Sequence, residues 1–208
     1  FTQTGNAHIW QQFICWTFIL LAGAVFPYGK HAVRRGAVTF GCGFLLTAVT
    51  MLVMPSEQIL FGVLHLIGAA VLLSALLRRF LDRAPALPGA IASFVLFLFL
   101  RSVPMGIGEL QLFELPRQLY SVPFLFPLGL PGPGFYSADY FPLIPWIFLF
   151  WTGLFLWRFL RPYAEETVRG WPACRPLVWL GRHSLWVYLL HQPVLLGFIF
   201  LLSILTGS

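Results

Sequence analysis

Apolar residues run along this chain in long stretches interrupted by short charged clusters. The runs free of Lys, Arg, Asp and Glu are 29 residues before Lys30, 21 from Gly36 to Ser56, 20 from Gln58 to Leu77, 17 from Ala84 to Leu100, 18 from Tyr140 to Trp157 and 26 after Arg182. Each approaches the roughly 20 residues needed to cross about 30 Å of hydrocarbon. Another uncharged stretch, Gln118 to Ala138, carries Pro123, Pro127, Gly129, Pro131, Gly132, Pro133 and Gly134, which forbid a regular helix. Its backbone groups would lack partners in lipid, so it is expected at an interface or under protein cover. The pattern therefore predicts an all-α fold, a polytopic transmembrane helical bundle of six spans: Ile9 to Tyr28, Gly36 to Met54, Ile59 to Leu77, Leu87 to Leu100, Phe141 to Trp157 and Ser184 to Leu205. Residues 1–208 read as a single integral membrane domain with a Pro/Gly-rich outer loop at about 101–140.

Composition agrees. Of 208 residues 59% are hydrophobic and 10% charged, against roughly a quarter charged in soluble domains, which excludes a water-soluble reading. Cys15, Cys42 and Cys174 form no CxxC pair, so packing thiols are expected rather than a zinc site or a disulfide framework. The net charge of +6 does not point to nucleic acid, because the basic residues punctuate the spans instead of forming one patch with interleaved aromatics.

The distribution of those basic residues sets an orientation. Lys30, Arg34 and Arg35 follow the first span, Arg78, Arg79 and Arg83 the third, and Arg158, Arg161, Arg169, Arg175 and Arg182 the fifth, while only Arg101 and Arg117 lie in the other loops. The positive-inside rule makes the rich loops cytoplasmic and places both ends of the chain outside. An outward amino end with nothing to explain its crossing, on a chain that starts with Phe, leads us to expect at least one earlier hydrophobic segment before Phe1.

Polar groups inside a bilayer are costly without a partner or a wet cavity, so each becomes a functional candidate. His65 lies some seven residues into the third span, roughly 10 Å deep, and could equally be a histidine hydrogen-bonded between helices. His191, in Leu190-His191-Gln192-Pro193, lies roughly 13 Å from Arg182, where Pro193 frees the Leu189 carbonyl and favours a cavity. His8 precedes the first span on the outer face and has the chemistry of a general base. Asp139, at the mouth of the fifth span, is a further site candidate or a helix N-cap ahead of Pro142. Arg182 with His183, and Arg78 with Arg79, mark cytoplasmic span ends; they could anchor helices, meet anionic lipid or receive a polyanionic cofactor. No P-loop, GxSxG, HExxH or paired-carboxylate motif is present, and no metal site is expected.

Four strings taken together resemble the membrane-bound heparan-α-glucosaminide N-acetyltransferase catalytic-domain family of multi-span acyltransferases. They are Phe18-Ile19-Leu20-Leu21-Ala22-Gly23, the run Ile59 to Gly68, Asp139-Tyr140-Phe141-Pro142-Leu143-Ile144-Pro145-Trp146, and Leu180 to Leu185 continuing to Leu190-His191-Gln192-Pro193. The resemblance implies an enzyme that takes an acetyl or related acyl group from cytoplasmic acyl-CoA and delivers it to a sugar amine or hydroxyl across the membrane. It implies acetyl-CoA or another acyl-CoA as co-substrate, a carbohydrate acceptor and, from its bacterial members, an inner-membrane location. In the family a histidine near the first outer loop is the expected base, and His8 is its nearest positional match. His65, His191 and Asp139 are the other catalytic candidates, and Arg78, Arg79, Arg182 and His183 the candidates for CoA phosphates. The family also has an amino-terminal span with an Arg-Gly pair, which this sequence lacks.

Two other classes share these residues: a small-solute transporter gated by His65 and His191, and a non-catalytic membrane scaffold subunit. Membrane lipid is an expected partner in every case, and association into a homo-oligomer or larger complex stays open. His8, His65, Asp139 and His191 are expected to surround one polar cavity. The orientation makes a direct prediction for single cysteines placed in a background without the native ones. Position 110 should be labelled from outside and position 169 from the cytoplasm, and cytoplasmic labelling at 110 would overturn the topology.

Overall fold

A computed structural model of the chain describes residues 5–101, 122, 124–167, 175–183 and 190, and among these the regular structure is helical. Two compact units divide the chain, Phe1–Ala164 and Glu165–Ser208. The helices are α1 (Gly5–Val25), α2 (Ala32–Val53), α3 (Val63–Leu76), the short α4 (Arg78–Arg83), α5 (Ala86–Leu100) and α6 (Leu143–Thr167), followed in the second unit by α7 (Arg175–Arg182). Local sequence explains most of the ends. Pro27 turns the chain into a 3₁₀ turn after α1, Met54 precedes Pro55 where α2 stops, and Pro85 precedes α5.

The first five expected spans each correspond to a helix, with corrected limits. The third begins at Val63 instead of Ile59 because residues before it pair with another segment, described below. The third loop is itself helical over Arg78–Arg83, and α6 continues beyond Trp157 to Thr167 through Pro162. Two helices, Ala32–Val53 and Leu143–Thr167, are long and apolar enough to cross a membrane. Helices α3 and α5, at 14 and 15 residues, extend only about 21–23 Å by themselves. The sixth expected span, Ser184 to Leu205, lies outside the described residues apart from Leu190.

Helix α2 is built inside out relative to a soluble helix. Gly36, Phe40, Gly43, Thr47 and Thr50, spaced by four and three residues, form one face of it. Along this face a Cβ at Gly36 would meet Leu72, and a Cβ at Gly68 would lie 2.5 Å from the Phe40 backbone nitrogen. Its other large apolar residues point away: Leu45, Leu52 and Val53 are 59%, 84% and 70% exposed. Such a face is costly in water and suited to hydrocarbon, where helices attract one another through close backbone packing.

Helix α6 is the axis of the core. Its Ile147, Leu149, Phe150, Leu154 and Phe155 are buried together with Ile19 and Phe26 of the α1 segment, Leu66 and Ala70 of α3, and Ala90 and Phe97 of α5. Trp151 donates to Ser74 Oγ of α3 at 2.9 Å. Aromatic rings link the other neighbours, Trp16 to Phe97 at 4.9 Å and Phe97 to Trp146 at 5.4 Å. Against α1 the approach is backbone to backbone: a Cβ at Gly23 would collide with the Phe150 carbonyl, and one at Gly153 with the Leu20 carbonyl.

This contact predicts unequal costs for three glycine-to-alanine changes. Gly23→Ala and Gly153→Ala should each destabilise by at least about 1–3 kcal/mol, since the obstacle is main chain. Gly41→Ala, whose Cβ would meet nothing within 4 Å, should be neutral or stabilise by roughly 0.5–1 kcal/mol. Thermal unfolding in detergent checks this, and equal effects at the three positions would refute it.

Candidate functional site

Between α2 and α3 the chain turns through Gln58–Gly62, and its residues Gln58–Phe61 lie outside the helical hydrogen-bond ladders. Its polar groups are met from two directions. The Thr47 hydroxyl donates to the Ile59 carbonyl at 2.7 Å and Thr50 Oγ1 accepts from the Ile59 amide at 3.2 Å. From the segment before α6, Ser137 Oγ accepts from Leu60 N–H at 2.9 Å, Ala138 N–H donates to the Gln58 carbonyl at 3.0 Å, and Phe141 N–H donates to the Phe61 carbonyl at 3.1 Å. Irregular backbone in an apolar bundle survives only with such partners. The described part of the Pro/Gly-rich stretch is irregular apart from one 3₁₀ turn at Phe126–Leu128, as its composition predicts.

Asp139 completes the corner. Its Oδ2 accepts from Val63 N–H at 3.3 Å, capping α3 from 76 residues away. Gly62, the residue that would ordinarily cap α3, has no side chain, and a Cβ there would lie 2.9 Å from that carboxyl oxygen. The glycine thus admits a remote carboxylate to the helix N-terminus, where negative charge is favoured. The sequence reading of Asp139 as a cap ahead of Pro142 is corrected: the helix capped is α3, not α6. Burial pushes its carboxyl above the usual range, and the Val63 N–H pulls the other way. Asp139 also lies close enough to Cys15 of α1 to act on it electrostatically. Beside it Tyr140 donates to the Phe126 carbonyl, and burial pushes its hydroxyl up, so it stays a donor.

His65 is the third residue of α3, one turn from the corner, where its longer expected span made it the seventh. It is 3% exposed. The Phe61 ring stacks on it at 5.4 Å, and Phe40 and Phe44 meet it edge-on at 5.3 and 4.9 Å. A Cβ at Gly43 would lie 2.7 Å from its Nδ1, so a glycine on α2 makes room for the imidazole. Phe61 itself has φ 59, a strained conformation for a bulky residue, held by its carbonyl bond to Phe141 and by the ring stack.

The structure therefore brings His65 and Asp139 to one corner, at the first turn of α3. His8 lies on the backbone of α1; its side chain is outside the described residues, as is His191. At the opposite end of α3, Arg78 pairs with Asp82 at 3.5 Å with both side chains largely exposed, and Arg79 is exposed beside it on α4. Arg182 ends α7 in the second unit, with its side chain outside the described residues. His183 follows it, stacked on Trp179 at 4.6 Å with Nδ1 2.9 Å from the Trp179 carbonyl. Among the described residues no three of His, Cys, Asp and Glu are grouped to hold a metal.

Sequence reasoning missed Thr47, Thr50, Ser137 and Arg158. Thr47 and Thr50 looked like ordinary span residues and Ser137 like part of the Pro/Gly-rich loop, and their partners are distant in sequence. Arg158 was read as a loop cation, yet it donates to the Leu81 and Asp82 carbonyls at 2.7 and 3.0 Å and closes the end of α4.

The cap makes a prediction with a definite sign. A carboxyl whose folded pKa is raised favours the folded state most below its unfolded pKa, and stability falls as pH rises through the folded value. Unfolding of the wild-type chain should thus become easier from acid toward neutral pH, and Asp139→Asn, which keeps an acceptor for Val63, should flatten that dependence. Asp139→Ala should cost about 1 kcal/mol more than Asp139→Asn at neutral pH. Thermal melts across pH test both, and an unchanged slope in Asp139→Asn would reject the assignment.

The matching stretches Ile59–Gly68 and Asp139–Trp146 are the two sides of this corner, and Gly23 is the glycine pressed against α6. No curated protein and no solved structure matches the chain. The family model described as heparan-alpha-glucosaminide N-acetyltransferase, catalytic, matches residues 1–193 of the 208. The chain belongs to the heparan-α-glucosaminide N-acetyltransferase catalytic-domain family, a family of membrane acetyltransferases.

Proposed function

We propose that this protein moves an acetyl or similar acyl group from cytoplasmic acyl-CoA to a sugar amine or hydroxyl on the outer side of a membrane. The family match over residues 1–193 carries the reading. The separation of the chemistry supports it: a corner with a half-buried carboxyl lies at one end of α3 and arginines at the other, roughly 20 Å apart along a 14-residue helix.

In this reading the acceptor nitrogen or oxygen attacks the thioester carbonyl, a base takes its proton, and the C–S bond breaks to release CoA as the thiol. His8 is the base. The Asp139 carboxyl at the corner is the group we assign to bias the proton on the acceptor side. His65 shapes the corner from within its aromatic enclosure, and His191 is the second proton acceptor. Arg78 and Arg79 hold phosphates of acyl-CoA by charge-assisted hydrogen bonds. The bacterial inner membrane, with both given ends outside, is the compartment that suits this direction of transfer.

Reconstitution of the full chain tests the reading. With acetyl-CoA on the side bearing the arginines and glucosamine on the other, free CoA thiol and acetylated product should appear together. Absence of transfer to any amino sugar or sugar hydroxyl would overturn the proposal. His8→Ala should lower turnover by about a hundredfold or more with CoA binding retained. Unchanged turnover in His8→Ala would move the base to His191 or His65.

A further inference from the structure

At the end of the first unit opposite the corner, two clefts adjoin. A cleft of about 200 Å³ is lined by Arg78, Arg158 and Arg161, by Asp82, and by the apolar Leu81 and Leu154. A more open one of about 630 Å³ is lined by Arg34, His31, Ala75 and again Arg78. Arg78 is therefore a wall shared by both. Around the pair stand four arginines and one carboxylate, Asp82.

The arginines differ in how firmly they are held. Arg158 is fixed by its bonds to the Leu81 and Asp82 carbonyls, which leave further N–H groups of its five to serve another acceptor. Arg161 stands over the Tyr28 ring at 5.5 Å, and Tyr28 in turn accepts from Trp157 Nε1 at 2.8 Å. This packing orients the guanidinium in advance. The Arg78–Asp82 pair is 60% and 64% exposed, and a pair so exposed contributes little, so Arg78 can exchange its carboxylate for a better anion at small cost. Guanidinium forks match phosphate oxygens, and a planar cation stacked on a ring loses little freedom on binding.

We infer that the two clefts form one site for a polyphosphate ester, with Arg158 and Arg161 facing one phosphate group, Arg34 facing another and Arg78 between them. Leu81 and Leu154 give the smaller cleft an apolar wall for the rest of the ligand. The inference rests on the acyl-CoA reading above for its most specific form, in which the diphosphate of CoA occupies the smaller cleft and the ribose 3′-phosphate the larger. The same phosphate chemistry is offered by the headgroup of an anionic phospholipid.

Calorimetry on the full chain in detergent separates these, with CoA and 3′-dephospho-CoA as probes. Arg161→Gln should weaken both ligands by on the order of tenfold. Arg34→Gln should weaken CoA to a similar extent and leave dephospho-CoA unchanged, and Arg161→Lys should recover part of the loss. Wild-type affinity for CoA in both glutamine variants would overturn the site, and if acetyl transfer persists in them with unaltered KM the acyltransferase reading survives alone. If the wild type binds no CoA but retains cardiolipin, whose headgroup carries two phosphates, in nanodiscs, and the variants lose it, the phosphate site stands and the acyl-CoA reading falls. Arg158 is left intact throughout because it closes α4.

Discussion

The bundle depends on main chain meeting main chain at glycine. A helix that turns its large apolar side chains outward, as α2 does, gains nothing from hiding them, and its attraction to a neighbour must come from dispersion contact at short range. Gly23 and Gly153 allow this between α1 and α6, and Gly36 and Gly68 allow it between α2 and α3. With α1 and α3 both seated against α6, the core residues Ile19, Leu66 and Phe150 enclose one another completely. Everything the site requires is positioned by that seating.

The corner at α3 shows how polar groups are accommodated in such surroundings. Gln58–Phe61 is not helical, and the described partners of its backbone come from neighbouring elements: hydroxyls of α2 on one side, residues 137–141 on the other. Asp139 is held there by a single helix amide against the pull of burial. A carboxyl so placed can carry a proton at a pH where an exposed one would not, a property suited to a site that moves protons. The strained Phe61 and the stacked His65 lie directly beneath it, so a change in the corner is felt at the first turn of α3.

The basic end is organised differently, by charge and aromatic support rather than by burial. Arg158 is spent partly on the carbonyls of α4, and Arg161 is braced by Tyr28 and Trp157. These contacts tie the α1 segment, α4 and α6 together at the same place where their cations converge.

Helices α1, α2, α3, α5 and the apolar part of α6 were legible from the charge-free runs, because in a chain this apolar charged clusters mark where buried helices stop; the charged helix α4 and the continuation of α6 past Trp157 were not. The Pro/Gly-rich stretch was legible as irregular for an equally local reason: rings without N–H groups cannot sustain a helix. What the sequence could not decide was which distant groups would satisfy the irregular backbone. Ser137 and Asp139 read as the approach to α6, yet their oxygens serve Leu60 and Val63. Gly62 stood inside the run Ile59 to Gly68, and its function, to admit a carboxylate, required the partner to be in place. His65 was visible as an oddity in an apolar run, while its enclosure by Phe40, Phe44 and Phe61 was not. Local propensity acts over a few residues and leaves its mark in composition and spacing; capping in trans and aromatic enclosure are set by packing between elements, and only the tertiary structure decides them.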